Sequence, residues 1–394
     1  MSRPTLVTAT LTLVFPLAWP ISVEASENFH LRGNLASSRA QFEQSKQGHV
    51  AFIGGSITEM NGYRPMVCSL LERQFPGTKF TFTNAGISST CSTTAAFRLG
   101  TDVLNKGPVD LFFIEFAVND DQDAGHAQRE CIRGMEGIIR QARRHNPKMD
   151  IVITYFVNPG MLKMIQTGKT PPRIDAHAKV AEHYNISTIH LAQEVADQIG
   201  AGELTWKKFG GTHPAPHGNA ICADMIDRLL QSAWRESPAK SAPHKMPKTL
   251  DMYSYANGRF VSPTEANVVA GWQLHVPDWK KLPGGKRSRF TSMKMLTANE
   301  PGAKLTLQFE GTAVGAYVVA GPDAGTVEAS IDGGDTTAVN LFHRYSRGLH
   351  YPRTVMFAAD LKPGKHTLEL VVGDEKSGSG HAARIMQFTV NGTP

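Results

Sequence analysis

Past residue 25 the chain contains no apolar run of bilayer-spanning length, so no helical membrane body is expected. It is short of cysteine too. Four cysteines in 394 residues, with no Cys-x-x-Cys, argue against a disulfide-dense scaffold, a thiolate zinc site or a dithiol redox motif. Internal repeats, low-complexity tracts and basic blocks interleaved with aromatics are missing as well. The net charge of +6 is spread along the sequence, which is weak support for an acidic partner and none for nucleic acid. Hydrophobic content of 41% and charged content of 19% are ordinary for a globular protein. At 394 residues the chain exceeds one ordinary core, so two domains are expected.

The first residues differ from the rest. Arg3 precedes an apolar stretch from Leu6 to about Val23, broken by Pro16 and Pro20, and Val23-Glu-Ala25 places small residues at the −3 and −1 positions of a signal-peptidase site. A cleaved signal over 1–25 with a mature chain from near Ser26 is expected, giving a secreted or periplasmic protein with no membrane span after cleavage. An uncleaved anchor is the alternative. Export would put Cys68, Cys91, Cys131 and Cys222 where disulfides persist, with three possible pairings; free buried thiols are equally compatible.

From residue 49 to about 233, short apolar runs alternate with helical periodicity. His49 to Ile53, Lys79 to Asn84, Asp110 to Ala117 and Asp150 to Val157 suit strands buried on both faces, while Ile132, Met135, Ile138, Ile139 and Ala142 recur at helical spacing, as do Cys222, Met225, Ile226, Leu229 and Leu230. This alternation predicts parallel strands with crossover helices and a site at the strands' carboxyl ends. Glu236 to Lys248, with Pro238, Pro243 and Pro247, reads as a linker. Beyond it, Leu305, Leu307 and Phe309 alternate, Asp332-Gly-Gly334 and Lys362-Pro-Gly364 mark turns, and a β-sandwich is expected. The expected division is 1–25 signal, 26–235 α/β domain, 236–250 linker and 251–394 sandwich.

His49-Val-Ala-Phe-Ile-Gly-Gly-Ser-Ile-Thr58 is an apolar strand that runs into two glycines and delivers Ser56. A serine is a poor nucleophile at neutral pH, so acyl transfer needs a base within hydrogen-bond reach and donors for the developing oxyanion. His213, in Gly211-Thr-His-Pro214, is the candidate base. The candidate oxyanion donors are the Ser56 N–H, the Gly86 N–H in Asn84-Ala-Gly-Ile-Ser88, and the Asn119 side-chain amide in Phe116-Ala-Val-Asn-Asp120. A Gly-x-Ser-x-Gly elbow is absent, because Thr58 stands where its second glycine belongs. That disfavours an α/β-hydrolase.

These four blocks, in this chain order, resemble the SGNH (GDSL-like) hydrolase superfamily over about residues 49 to 233. The resemblance implies a flavodoxin-like three-layer α/β/α fold, no cofactor, no metal, and hydrolysis of esters, often acetyl groups on carbohydrates. With an added β-sandwich the chain looks like exported bacterial carbohydrate esterases, an analogy of architecture. One position departs from the pattern. The family's usual Asp three residues before the histidine is Gly210 here, so the acceptor that orients His213 is expected from a backbone carbonyl, a water or a carboxylate of another loop. Glu59, Glu115, Asp120 and Asp121 lie near the other blocks in sequence.

His213 and His217 have a metal-ligand spacing, but Pro214 and Pro216 argue for a loop, which makes a general base the better reading of His213 and a helix start that of His217. His177, His183 and His190 read as packing or surface residues, Arg64 as a structural one, and Trp272, Trp279, His343 and Tyr345 as core residues before sugar-stacking ones. The leading expectation is an exported serine esterase acting on an acylated carbohydrate, its partner. The alternatives are a glycan-binding protein with a degenerate hydrolase domain, and a lipid or thioester hydrolase.

Overall fold

The computed structural model describes residues 27–33, 35–235 and 241–393, so the expected signal segment and the first five linker residues lie outside the described residues. Strand Gln47–Gly54 is buried after its first residue, which is why it reads as a continuous apolar run rather than an alternating one. It pairs in parallel with Lys79–Gly86 on one side and Leu111–Glu115 on the other, and Asp150–Thr154 and Ser187–Ile189 extend the sheet. Numbered along the chain, these five strands stand in the order 2-1-3-4-5, the flavodoxin-like arrangement. Phe29–His30 adds an antiparallel edge. At two and three residues, Phe29–His30 and Ser187–Ile189 are too short for a periodic signal.

Helix Gln128–His145 buries Met135, Ile138, Ile139 and Ala142, and helix Pro216–Ala233 buries Cys222, Met225, Ile226, Leu229 and Leu230, the stripes that the spacing predicts. Residues 241–248 form neither helix nor strand and lie along the first domain. There Arg143 donates to the Lys245 carbonyl (3.1 Å), Arg140 to the Pro247 carbonyl (2.8 Å), and His244 meets Asp150 (2.9 Å). All four cysteines are free; three sit inside helices and Cys91 at a helix start.

The second domain is a sandwich of two antiparallel sheets. One runs Tyr351–Ala358, Ala313–Ala320, Ala383–Asn391, Met295–Ala298, Gln273–His275, with Gly258–Val261 also on Ala383–Asn391; the other runs Thr337–Asn340, Thr326–Ile331, Gly364–Val372, Lys304–Gly311, Asn267–Ala270. Lys304–Gly311 alternates between core and solvent, whereas Ala313–Ala320 is buried at all eight positions. The difference comes from the neighbouring domain. Val314, Ala316 and Val318 face the sandwich core, while Tyr317 and Val319 pack with Ile87, Phe290, Met295 and Met386 in a separate cluster that straddles the two domains. Tyr255 packs into the first domain's core against Phe97, ring centroids 4.8 Å apart. Arg129 and Arg133 each bridge Asp251 and Asp360.

Candidate active site

The turn Gly54-Gly-Ser56 ends the central strand and starts the short helix Ser56–Glu59. Both glycines are required by close approach: a Cβ at Gly54 would fall 2.1 Å from Glu115 Oε1, and one at Gly55 would fall 2.2 Å from Asn119 Oδ1. Glu115, at the end of the next strand, anchors the turn. Its Oε1 accepts the Gly55 N–H (3.0 Å) and the Thr58 hydroxyl (2.7 Å), which explains why a threonine occupies position 58. Burial pushes the Glu115 carboxyl up to about 7, and those donors offset only part of the shift.

His213 Nε2 lies 2.7 Å from Ser56 Oγ. The two residues are 157 positions apart, yet the loop Gly210–Ala215 presents the imidazole directly to the nucleophile. The backbone of this loop is held by Asn219, whose amide donates to the Pro214 carbonyl (2.6 Å) and accepts the Tyr63 N–H (2.8 Å). The imidazole itself is exposed and, among the described residues, makes no hydrogen bond besides the one to Ser56. None of the four acids near the other blocks supplies the missing acceptor. Glu115 holds the nucleophile turn, Glu59 takes the Ser88 N–H (2.8 Å) and Arg289 (3.1 Å), Asp121 takes Asn158 (2.8 Å), and Asp120 is buried with Ser92 and His177. Burial opposes ionisation of Glu59, but its bonds to Ser88 and Arg289 outweigh it and hold the carboxyl below its ordinary range.

Of the three oxyanion donors expected, the Ser56 N–H has no protein partner among the described residues. The Asn119 side chain is buried against Gly55, with its Nδ2 donating to Asp123 Oδ2 (2.7 Å). Only one of its two amide hydrogens is used there. Gly86 requires correction. Its N–H already donates to Asn84 Oδ1 (2.9 Å), and its lack of a side chain serves packing instead, since a Cβ would fall 2.3 Å from the Glu59 nitrogen. A donor engaged in this way is not pointed at a substrate.

The sandwich reaches these same loops. Tyr351 donates to Asp123 Oδ1 (2.7 Å), completing a chain Tyr351–Asp123–Asn119. Arg287 donates to the Ser88 carbonyl (2.8 Å) and Ser89 Oγ (2.9 Å), Arg289 binds Glu59, and Arg344 donates to the Gln122 carbonyl. Burial raises the Asp123 carboxyl, with Tyr351 and Asn119 opposing. Asp123 and Asn219 were missed in the sequence. Asp123 lies four residues after Asn119 and was within reach of a helical-spacing argument, whereas Tyr351 is 228 positions from Asp123 and carries no local signal.

Of the other residues singled out in the sequence, Arg64 braces the turn through the Thr58 carbonyl and Asn61, and His217 sits in the first turn of Pro216–Ala233. His177 is buried on Asp120 (2.8 Å), His183 meets the Lys248 carbonyl (2.7 Å), and His190 caps helix Leu191–Gly200. Trp272 is a core residue, Trp279 donates to the Thr291 carbonyl (3.0 Å), and His343 stacks on Tyr351 while Tyr345 packs at a tilt against both, beneath Arg344. Asp120 approaches Cys91 with His126, and Cys131 with His177, at ligand-like separations. Its carboxylate accepts the Ser92 N–H (2.8 Å), the Ser92 hydroxyl (2.7 Å) and His177, whereas Nδ1 of His126 and Nδ1 of His177 are buried without a hydrogen-bond partner among the described residues.

Residues 52–221 match the GDSL-like Lipase/Acylhydrolase family. This segment is a GDSL-like hydrolase domain. No curated protein matches the chain. Among solved structures, a two-domain esterase (CEX) active on acetylated mannans, determined alone and with mannopentaose, is similar over both domains: TM-score 0.75, 20% identity, 93% of this chain and 98% of that one. Axe2, an acetylxylan esterase from Geobacillus stearothermophilus, matches with TM-score 0.36 and 19% identity over 46% of this chain and 94% of its own. Similarity at 20% identity establishes the two-domain fold, an α/β domain followed by a β-sandwich.

Proposed function

We propose that the chain is an exported carbohydrate O-acetylesterase working through an acyl-enzyme on Ser56. The observation that carries this reading is the 2.7 Å contact between Ser56 Oγ and His213 Nε2 beside an unpartnered Ser56 N–H and the braced Asn119 amide. Ser56 Oγ attacks the ester carbonyl as its proton passes to His213 Nε2. The Ser56 N–H and the second Asn119 amide hydrogen take the tetrahedral oxyanion. His213 then returns the proton to the leaving sugar oxygen, and water repeats the sequence to release acetate. With no carboxylate behind it among the described residues, the exposed imidazolium is stabilised by solvent. Ser56 is half-buried and His213 exposed, a shallow site that suits an acyl group displayed on a polymer better than a lipid chain.

Acetylated mannan, the substrate class of the two-domain neighbour, is the first substrate to try. The missing acid partner favours one competing reading, a glycan-binding protein with a weakened hydrolase domain. A fluorophosphonate should label Ser56, and p-nitrophenyl acetate should give a burst of p-nitrophenol that Ser56→Ala abolishes. Sugar binding without turnover, or undiminished hydrolysis by Ser56→Ala, would decide against the esterase.

A further inference from the structure

The junction of the two domains forms a half-open cleft of about 290 Å³, lined by Cys91, Asp123, His126 and Glu130 of the first domain and by Tyr351 and Arg353 of the sandwich. Cys91 stands at the N-cap of helix Ser92–Asp102, whose positive dipole end favours an anion, although the first N–H of the helix, that of Ser92, already donates to Asp120. Its Sγ lies 3.9 Å from His126 Nε2, and the other ring nitrogen of His126 lies 3.4 Å from Asp120 Oδ1. Asp120 is fully buried and fixed by Ser92 and His177. Thiol, imidazole and carboxylate therefore stand in the order nucleophile, base, acid, with the carboxylate at ion-pair distance from the imidazole though not hydrogen-bonded to it. At Ser56 that order stops at the imidazole.

We propose that Cys91 is a modification site: paired with His126, its sulfur is oxidised by hydrogen peroxide to a sulfenic acid, with loss of the esterase activity. In the step, the thiolate sulfur attacks one peroxide oxygen. An S–O bond forms, the O–O bond breaks, and the departing hydroxide takes the His126 proton and leaves as water. Sulfur is oxidised by two electrons and the peroxide reduced by two. The adduct occupies a cleft whose wall includes Asp123 and Tyr351, the pair that holds Asn119, so modification disturbs the oxyanion donor. The link to hydrolysis rests on the esterase reading; the chemistry of the thiol does not.

The charges around the pair agree with the geometry. Burial opposes ionisation of Cys91, but His126 outweighs it and holds the thiol below its ordinary range. Burial likewise opposes charging of His126, and Cys91 and Asp120 outweigh it. Arg353 adds a positive charge from the sandwich, and Asp123, Glu130, Tyr255, Tyr351 and Cys131 are the other titratable groups that face the pair. Cys68 provides an internal reference: it is more exposed than Cys91, yet burial pushes its thiol up to about 11.

The test treats the full chain with iodoacetamide at pH 6 and maps adducts by mass spectrometry. Cys91 should react at least about tenfold faster than Cys68, with a rate nearly flat from pH 6 to 8 while that of Cys68 climbs. Hydrogen peroxide followed by dimedone should tag Cys91, and esterase activity should fall in step with the tag. Cys91→Ser should keep activity and resist the peroxide, and His126→Gln should slow alkylation about tenfold. Faster labelling of Cys68, a steep pH dependence at Cys91, or equal inactivation of Cys91→Ser would overturn the proposal. Labelling of the unsubstituted chain reads the thiol whether or not Cys91→Ser folds and whether or not the chain hydrolyses esters.

Discussion

On one side of Ser56 the Asn119 amide is held by Asp123, and Asp123 in turn by Tyr351 of the sandwich; on the other side His213 touches Ser56 and, among the described residues, no acceptor behind it. Both sides have their backbone secured, the first by Arg287 and Arg344, the second by Asn219. They differ in whether the reacting side chain itself is fixed. Donors fixed in advance need no reorganisation when charge develops on the substrate oxygen, so under the proposed mechanism the Asn119 side is where this site holds its preorganisation. A base facing water must be oriented by its one contact with the nucleophile.

The largest effect expected from breaking this asymmetry is at Asn119. Asn119→Ala should lower kcat by roughly 10²–10³ with little change in KM, the loss typical of one oxyanion donor. Steady-state kinetics on p-nitrophenyl acetate reads it directly. A change confined to KM would mean that the amide binds substrate and that the braced side is not the catalytic one.

Next is the bare side. Gly210→Asp restores the family's usual acid in sequence, but Gly210 has φ +109° and a Cβ there would fall 1.9 Å from the Ala215 nitrogen, which donates to the Phe209 carbonyl (2.8 Å). Backbone, not a flexible side chain, fills the space. The substitution should therefore cost turnover by about tenfold and lower thermal stability, because the loop that presents His213 must rearrange. A gain of about 10²-fold would show instead that the loop yields and that the pair lacks only an acid.

The same contrast explains what was readable in the sequence. Strand-to-turn blocks such as Gly54-Gly-Ser56 and Phe116-Ala-Val-Asn119 are local, and their buried strands betray themselves by continuous apolar runs. Glu115 ends one of those runs, and its anchoring role needs the parallel pairing Gly54↔Glu115, which no local pattern reports. Gly86 was legible as a glycine required by the fold, but the competing acceptor on Asn84, two residues earlier, decides where its N–H points. Tyr351, Arg287 and Arg344 are supplied across a domain boundary by residues that look like ordinary sandwich aromatics and surface cations.

Across that boundary, Tyr351→Phe sharpens the comparison with a smaller effect. Removing the hydroxyl takes one donor from Asp123 and leaves the ring packed on His343, centroids 4.4 Å apart. The loss of one such bond is worth about 0.5–1.5 kcal/mol, so kcat should fall roughly two- to tenfold at unchanged KM. Unaltered kcat would mean that the sandwich does not position the oxyanion donor.

The remaining effect is one of stability rather than rate, and it concerns how the nucleophile turn is anchored. Glu115 has its carboxyl raised by burial to about 7 from an ordinary 4.5, so between those values the folded chain keeps a proton that the unfolded chain has lost. Stability contributed by this group therefore declines as pH rises through that window and stays lowered above it. Glu115→Gln keeps an acceptor for the Gly55 N–H and the Thr58 hydroxyl while removing the titration. At pH 5 variant and parent should melt together. At pH 8 the variant should be the more stable, by at most about 3 kcal/mol from the size of the shift, or a few degrees in Tm. A melting difference that does not change between pH 5 and 8 would show that the carboxyl is ionised throughout. The anchor beneath Ser56 would then be a charged one, and the braced side of the site would carry no stability cost at neutral pH.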